Sequence, residues 1–157
     1  MGYVMVKLLG YMITWTTYGT WLQGDERGYV KDGVTLPANE RLEQANKQLQ
    51  VQDAIHLSNI QHQVVLEAIL KEVAARGQKI YAISVQSTHV HIVLEDTAEP
   101  IDKIVAYYKT AARLALKNLG HQGRVWTKGY DKRFCFDEGN LNRRIRYVEN
   151  QNHVYKQ

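Results

Sequence analysis

The chain has 157 residues, of which 45% are hydrophobic, and it carries one cysteine, Cys135. This length fits a single domain, 1–157, with an apolar core that needs no disulfide staples, and one cysteine excludes a disulfide framework or a cysteine-rich zinc site. The formal net charge is +4, and the amino-terminal stretch has neither a membrane-length apolar run nor a signal-peptide cleavage site. We therefore expect a cytoplasmic protein with no membrane partner.

The excess positive charge lies in one segment, residues 124–146. This segment holds seven basic residues against three acidic ones, whereas basic and acidic residues cancel over the rest of the chain. A local basic field is typical of a nucleic-acid partner, although a solvated basic face has the same composition. The candidate nucleic-acid-binding residues are Arg124, Lys128, Lys132, Arg133, Arg143, Arg144 and Arg146.

The amino-terminal half predicts one strand, a long irregular segment and one helix. Residues 8–18, "LLGYMITWTTY", are rich in β-branched and aromatic side chains and predict the strand. A glycine-rich loop with room for a short hairpin and a weakly amphipathic surface helix at 36–50 follow. Ser58 and Gln61 form a capping-box pattern, which predicts a helix that ends near Gly77.

The second half predicts two strands, a helix, a strand and a last helix. The strands are "KIYAISV" and "HVHIVLE", and the next helix begins at Pro100 and ends at Gly120. A loop and strand cover 124–136, and the last helix turns Leu141, Ile145 and Val148 towards the core. This order predicts an α+β ferredoxin-like sandwich, with an antiparallel sheet and helices packed on one face.

In the predicted strand "HVHIVLE", two histidines flank one valine. Because alternate residues of a strand share a face, His89 and His91 point away from the face of Val90 and its apolar neighbours. Two imidazoles placed side by side can converge on one divalent cation at about 2.0 to 2.2 Å each. The alternative is a pair of solvated histidines on an exposed sheet face, and the metal hypothesis needs a third ligand.

The last helix offers a phenol and an amide on one face. Tyr147 and Gln151 are four residues apart and therefore lie one turn apart, beside the apolar stripe and among arginines. A phenol has a pKa of about 10, and nearby guanidinium groups or a cation favour the nucleophilic phenolate. The amide oxygen of Gln151 suits Mg²⁺ or Mn²⁺. The alternative is a tyrosine with its hydroxyl in water, and Tyr107, Tyr108 and Tyr155 are rivals without a glutamine four residues later.

Together these motifs carry a family resemblance. "STHVHIVLE" at 87–95, followed by "RYVENQ" at 146–151, resembles the single-tyrosine HUH transposases of the smallest insertion sequences, which include the REP-associated tyrosine transposases. "VWTKGYDKRFCF" is similar to the tryptophan and glycine-tyrosine strand region of that family. The resemblance covers roughly residues 8–155, and about 20–57 is an insertion relative to the most compact members.

The resemblance implies a site and a reaction. His89, His91 and Gln151 would be the ligands of Mg²⁺ or Mn²⁺, and Tyr147 would be the nucleophile. The implied activity is DNA transposition through cleavage of hairpin-containing single-stranded DNA, which leaves a 5′-phosphotyrosine and a 3′-hydroxyl that later rejoins strands. It also implies a nucleoid-associated homodimer whose tyrosine helix, hinged at Gly139, can serve the partner subunit.

Two other functions compete with this interpretation. A histidine-triad nucleotide hydrolase needs a third histidine at the position of Val93, so its nucleophile is missing. A non-catalytic nucleic-acid-binding module would use segment 124–146, with Trp126 and Tyr130 as exposed aromatics. In the insertion, Trp21 and Arg27 are candidate contacts for unpaired bases.

Overall fold

A computed structural model of the protein describes residues 7–20, 29–31, 34–36 and 53–153. The candidate base contacts Trp21 and Arg27, the rival nucleophile Tyr155 and residues 37–50 of the predicted surface helix lie outside the described residues. Within the described ranges, no helix combines the length and apolar character needed to cross a membrane.

The architecture is a four-stranded antiparallel sheet with three helices, together with a separate two-stranded hairpin. The sheet has the order β4-β5-β1-β6, so β6 is an edge strand and β5 is central. In chain order the strands are β1 (Gly10–Thr16), β2 (Tyr29–Lys31), β3 (Val34–Leu36), β4 (Ile80–Val85), β5 (His89–Glu95) and β6 (Asp131–Cys135). The predicted α+β class and antiparallel sheet are confirmed.

The helices begin and end close to the predicted signals. They are α1 (Asn59–Ala75), α2 (Ile101–Asn118) and α3 (Glu138–His153). The capping box of α1 is formed, because Ser58 Oγ accepts from the Gln61 backbone at 3.2 Å and Gln61 Oε1 accepts from the Ser58 backbone at 2.9 Å. Pro100 lies at the start of α2 and Gly77 follows α1.

One face of the sheet forms the main core with α1 and α2. Alternate residues of β1 and β5 supply it, and the apolar sides of the two helices cover it. The β-strand members are Tyr11, Ile13, Trp15, Val90, Ile92 and Leu94, and all of them are almost fully buried. The helix α2 contributes Tyr108, as its position on the apolar stripe predicts.

The other face carries both histidines, and we call it the histidine face. The helices were expected on a single face, but α3 packs on the histidine face, opposite α1 and α2. The reason is that Met12 and Val93 continue this face as an apolar patch, and Leu141 and Val148 of α3 bury it. The last helix therefore lies directly over the strand that carries the histidines.

Candidate active site

The two imidazoles lie side by side at one end of the histidine face. His89 is the first residue of β5 and His91 is two residues later, so both point to the same side. Their ring centroids are 4.7 Å apart, with the planes at 68°. His89 is partly exposed, whereas only 7% of His91 is exposed because α3 covers this face. The expected open sheet surface is therefore wrong for His91.

Each imidazole ring contacts a threonine hydroxyl through its Nδ1 atom. Thr14 Oγ1 is 2.7 Å from His91 Nδ1, and Thr88 Oγ1 is 3.0 Å from His89 Nδ1. Thr14 is the register partner of His91 on β1, so the sheet itself aligns this pair. Where the hydroxyl accepts a hydrogen bond from Nδ1–H, Nε2 carries the lone pair, and where it donates to Nδ1, Nε2 carries the proton.

Burial also sets the protonation state of His91. Desolvation, with a smaller contribution from the neighbouring His89, lowers the pKa of His91 to about 4. His91 is therefore neutral at physiological pH. Neutral imidazole is the form that binds a metal ion, and it is also the form that a buried site tolerates.

Tyr147 reaches the histidines from α3 of the same chain. Its ring centroid is 5.4 Å from that of His91, with an interplanar angle of 76°. The side chain is 46% exposed, although the next residue, Val148, is fully buried beneath the helix. The phenol therefore lies at the rim of the α3 interface, beside the imidazoles and open to solvent.

Gln86 connects the carboxyl-terminal end of α3 to the beginning of β5. This side chain is only 5% exposed, and its amide nitrogen donates to the Gln151 carbonyl at 3.4 Å and to Ser84 Oγ. The Gln86 backbone nitrogen donates to the His89 carbonyl at 2.8 Å. Gln151, whose side chain is half-buried, thus lies on the turn of α3 that faces the beginning of β5.

The polar residues beneath α3 are the part of the site that the sequence analysis missed. Thr14 on β1 and Ser84 on β4 are the register partners of His91, and Gln86 follows on the same face as Ser84. Ser84 is fully buried. Polar residues alternating with apolar ones on both neighbours of β5 were the available signal, but alternation is equally typical of a solvated face.

The donors available to a metal ion are two imidazoles and one amide. Among the described residues, no group of three or more His, Cys, Asp or Glu side chains is placed to hold a metal ion. Both imidazoles contact a threonine hydroxyl through Nδ1, and the amide of Gln151 lies one helical turn from the phenol. Imidazole nitrogen and amide oxygen are both known ligands of divalent cations.

The seven candidate DNA-binding cations lie on loops, on edge strand β6 and on α3. Arg124 lies on a loop, 5.1 Å above the Tyr18 ring, and Lys132 lies on edge strand β6, 5.7 Å above the Phe134 ring. Arg133 pairs with Asp131 at 3.0 Å. Arg143, Arg144 and Arg146 belong to α3, the helix of Tyr147, and Lys128 is exposed on the loop before β6.

The aromatic residues proposed for a binding module are not both exposed. Trp126 is 7% exposed, meets Trp15 edge-on at 5.9 Å, and donates through Nε1 to the Lys109 carbonyl at 3.0 Å. Tyr130 is half-buried, and its hydroxyl donates to Asp102. Trp126 is therefore a core residue, unavailable for stacking on bases.

Comparison with solved structures finds two transposase structures that are similar to this chain, and one of them supports a shared fold. A REP-associated tyrosine transposase bound to a REP hairpin matches with a TM-score of 0.53 and 12% identity, over 94% of this chain and 70% of that one. A candidate transposase from Deinococcus radiodurans matches with a TM-score of 0.47 and 18% identity, over 96% of both chains. No protein-family model and no curated protein matches the chain. At these identities the likeness shows the fold, and the fold that the sequence resemblance implied is confirmed.

Proposed function

We propose that this protein is a single-strand DNA transposase and endonuclease that cleaves and rejoins strands through Tyr147. The observation that carries the proposal is the placement of an exposed phenol 5.4 Å from the ring of His91, with His89 alongside. The fold shared with a hairpin-bound tyrosine transposase supports the same conclusion. The substrate would be hairpin-containing single-stranded DNA, and the place of action the nucleoid in the cytoplasm.

The proposed reaction begins when the Tyr147 oxygen attacks the phosphorus of a phosphodiester. A new oxygen–phosphorus bond forms, the bond to the 3′ oxygen breaks, and the DNA is left with a 3′-hydroxyl and a 5′-phosphotyrosine. The phenol proton passes to solvent, and the leaving oxygen takes up a proton. A 3′-hydroxyl then attacks the phosphotyrosine and releases Tyr147, so the bond is exchanged without ATP.

A divalent cation would complete the centre. His89, His91 and Gln151 would hold Mg²⁺ or Mn²⁺, and the chemistry that such an ion supplies is neutralisation of charge on the non-bridging phosphate oxygens. The neutral state of His91 and the threonine bonds to Nδ1 support this assignment. Arg143 and Arg146, which are exposed on the helix of Tyr147, would add positive charge near the bound strand.

The test of this function is the covalent adduct. Wild-type protein and Tyr147→Phe are incubated with labelled single-stranded DNA and Mn²⁺ and resolved on denaturing gels. The wild type should form a DNA–protein adduct and the variant should form none, because only the hydroxyl is lost. Two proteins that bind equally, with no adduct from either, would instead identify a non-catalytic binding module.

A second variant separates cleavage from binding. We expect His89→Ala to abolish cleavage while it leaves affinity for hairpin DNA within about threefold of the wild type, a difference below about 1 kcal/mol. The reason is that His89 would act on the scissile phosphate through the cation. A loss of binding in proportion to the loss of cleavage would contradict that role.

A further inference from the structure

A second cationic cleft lies at the carboxyl-terminal end of α2, away from the Tyr147 centre. Its volume is about 470 Å³. The residues that line it are Arg113, Lys117, Gly120, His121, Gln122 and Gly123, and none of them is acidic. Helix α2 packs on the face opposite the histidines, so this cleft belongs to a different surface from the candidate active site.

The cleft holds two positive charges that have no ion-pair partner among the described residues. Arg113 and Lys117 are both exposed and lie four residues apart on α2, which places them as neighbours on one helical face. Neither appears in an ion pair with another described side chain. Like charges at this spacing repel each other, and an anion placed between them would remove that repulsion.

His121, which lines the cleft, has an unsatisfied polar atom. Its Nε2 is buried and has no hydrogen-bond partner among the described residues, an arrangement that is unfavourable for a buried polar group. The backbone nitrogens of Gly120 and His121 already bond to Lys117 and Leu116 carbonyls at 3.0 Å. A bound anion would therefore be held by side chains, not by the end of the helix.

Two glycines leave the rim of the cleft without side chains. Gly120 has φ 104° and Gly123 has φ 86°, and side chains are strained in this left-handed region. The rim therefore carries no side chain at these two positions, on either side of His121 and Gln122. This shape admits an extended chain of phosphates more readily than a rim of bulky side chains would.

The cleft lies at the same end of the sheet as His89. The segment that leaves it passes Val125, whose carbonyl accepts from Tyr18 at 2.8 Å, and Thr127, whose nitrogen donates to Thr16 at 2.9 Å. Thr16 is the register partner of His89. Arg124, with its guanidinium above the Tyr18 ring, stands between the cleft and that end of the sheet.

We propose that this cleft binds a backbone phosphate of single-stranded DNA at a point away from the bond that Tyr147 attacks. The inference rests on the proposed function and adds a substrate-binding site to it. A strand held at Arg113 and Lys117 would pass Arg124 and reach the histidines around the end of the sheet. Contacts to phosphate would position the strand without reading its sequence.

The experiment compares two double variants that remove equal charge. The double variant Arg113→Gln with Lys117→Gln removes both positive charges from the cleft. The control, Lys71→Gln with Lys103→Gln, removes two exposed lysines that do not line it. Binding of a labelled single-stranded oligonucleotide is titrated at several salt concentrations. The cleft variant should reduce the magnitude of the slope of log affinity against log salt by about 0.7, because the one phosphate contact that it loses contributes about 0.7 on single-stranded DNA. The control should keep the wild-type slope.

Equal slopes for both double variants would overturn the inference. Inorganic phosphate, titrated calorimetrically into wild type and cleft variant, distinguishes the source of the anion. If the cleft variant loses phosphate binding but keeps the wild-type salt slope for DNA, the cleft is a site for small phosphates. That result would also overturn the inference. Adduct formation at saturating DNA reports on Tyr147 separately, so a failure of the cleft and a failure of the proposed reaction are told apart.

Discussion

At the scale of single residues, His91 shows how the sheet prepares an imidazole for chemistry. The neighbouring strand places Thr14 Oγ1 at 2.7 Å from Nδ1, and the covering helix removes nearly all solvent from the ring. Both effects favour a neutral ring with a defined tautomer. Protonation of His91 destabilises the folded state, so the free energy of unfolding depends on pH.

The direction of that dependence follows from the two pKa values. The pKa of a histidine in the unfolded chain is near its ordinary value of 6.5, whereas the pKa of folded His91 is about 4. The unfolded chain binds more protons between these values, so stability is present above pH 6.5 and is lost as pH falls towards 4. We expect the free energy of unfolding to fall by about 2 kcal/mol from pH 7 to pH 5 through this residue alone.

Urea unfolding in the presence of a chelator measures this effect. The variant His91→Gln cannot titrate in this range and retains a polar side chain opposite Thr14. Its stability should change less than that of the wild type over the same interval, by the same ~2 kcal/mol. Parallel pH profiles for the two proteins would show that His91 is not the group responsible.

At the scale of elements, α3 is held on the sheet by a small apolar interface. Leu141 and Val148 are buried against Met12 and Val93. Gly10 of β1 lies under this interface, and a Cβ there would clash with β5, at 2.4 Å from the Leu94 carbonyl oxygen, and would touch Leu141 Cδ1 at 3.4 Å. The position of Tyr147 therefore depends on this packing.

Removing part of that interface should destabilise the protein. We expect Leu141→Ala to lower the free energy of unfolding by about 2 to 4 kcal/mol, because it deletes buried methyl groups and leaves a cavity. Leu114→Ala on α2 is the matched control, since Leu114 is 46% exposed, and it should cost less than about 0.5 kcal/mol. Denaturant unfolding of both variants gives the comparison, and equal losses would show that α3 is not bound through Leu141.

At the scale of the whole molecule, one chain brings Tyr147 and both histidines together. The Tyr147 ring lies next to His91 of the same chain, and Gln86 joins the last turn of α3 to the start of β5 in that chain. The resemblance implies a homodimer in which the tyrosine helix can serve the partner subunit. The packing within the single chain leads us to predict a centre assembled in cis, and the homodimer stays a prediction.

Mixing two inactive variants tests this arrangement. Tyr147→Phe retains the histidines and His89→Ala retains the phenol, so only an exchange of α3 between chains would combine the intact parts. We expect no covalent adduct from the mixture above the background of either variant alone. An adduct in the mixture would show that Tyr147 acts on the histidines of a partner subunit.

The sequence by itself determined the local geometry. Alternation in β5 put His89 and His91 on one side, and helical periodicity put Tyr147 and Gln151 on another common face. Such patterns are reliable because they depend on backbone geometry within a few residues. The strand and helix order also sufficed for the α+β class.

Only the tertiary structure decided which surface each element covers. The placement of α3 on the histidine face depends on Met12, Val93 and Leu141, which are distant in sequence and become one patch only in the folded sheet. The pairing of Thr14 with His91 spans 77 residues, and a threonine on a strand is as compatible with solvent as with a buried ring. Packing between residues that are distant in sequence produces no periodic pattern in the sequence. This packing nevertheless brings two histidines and a tyrosine together as one candidate site.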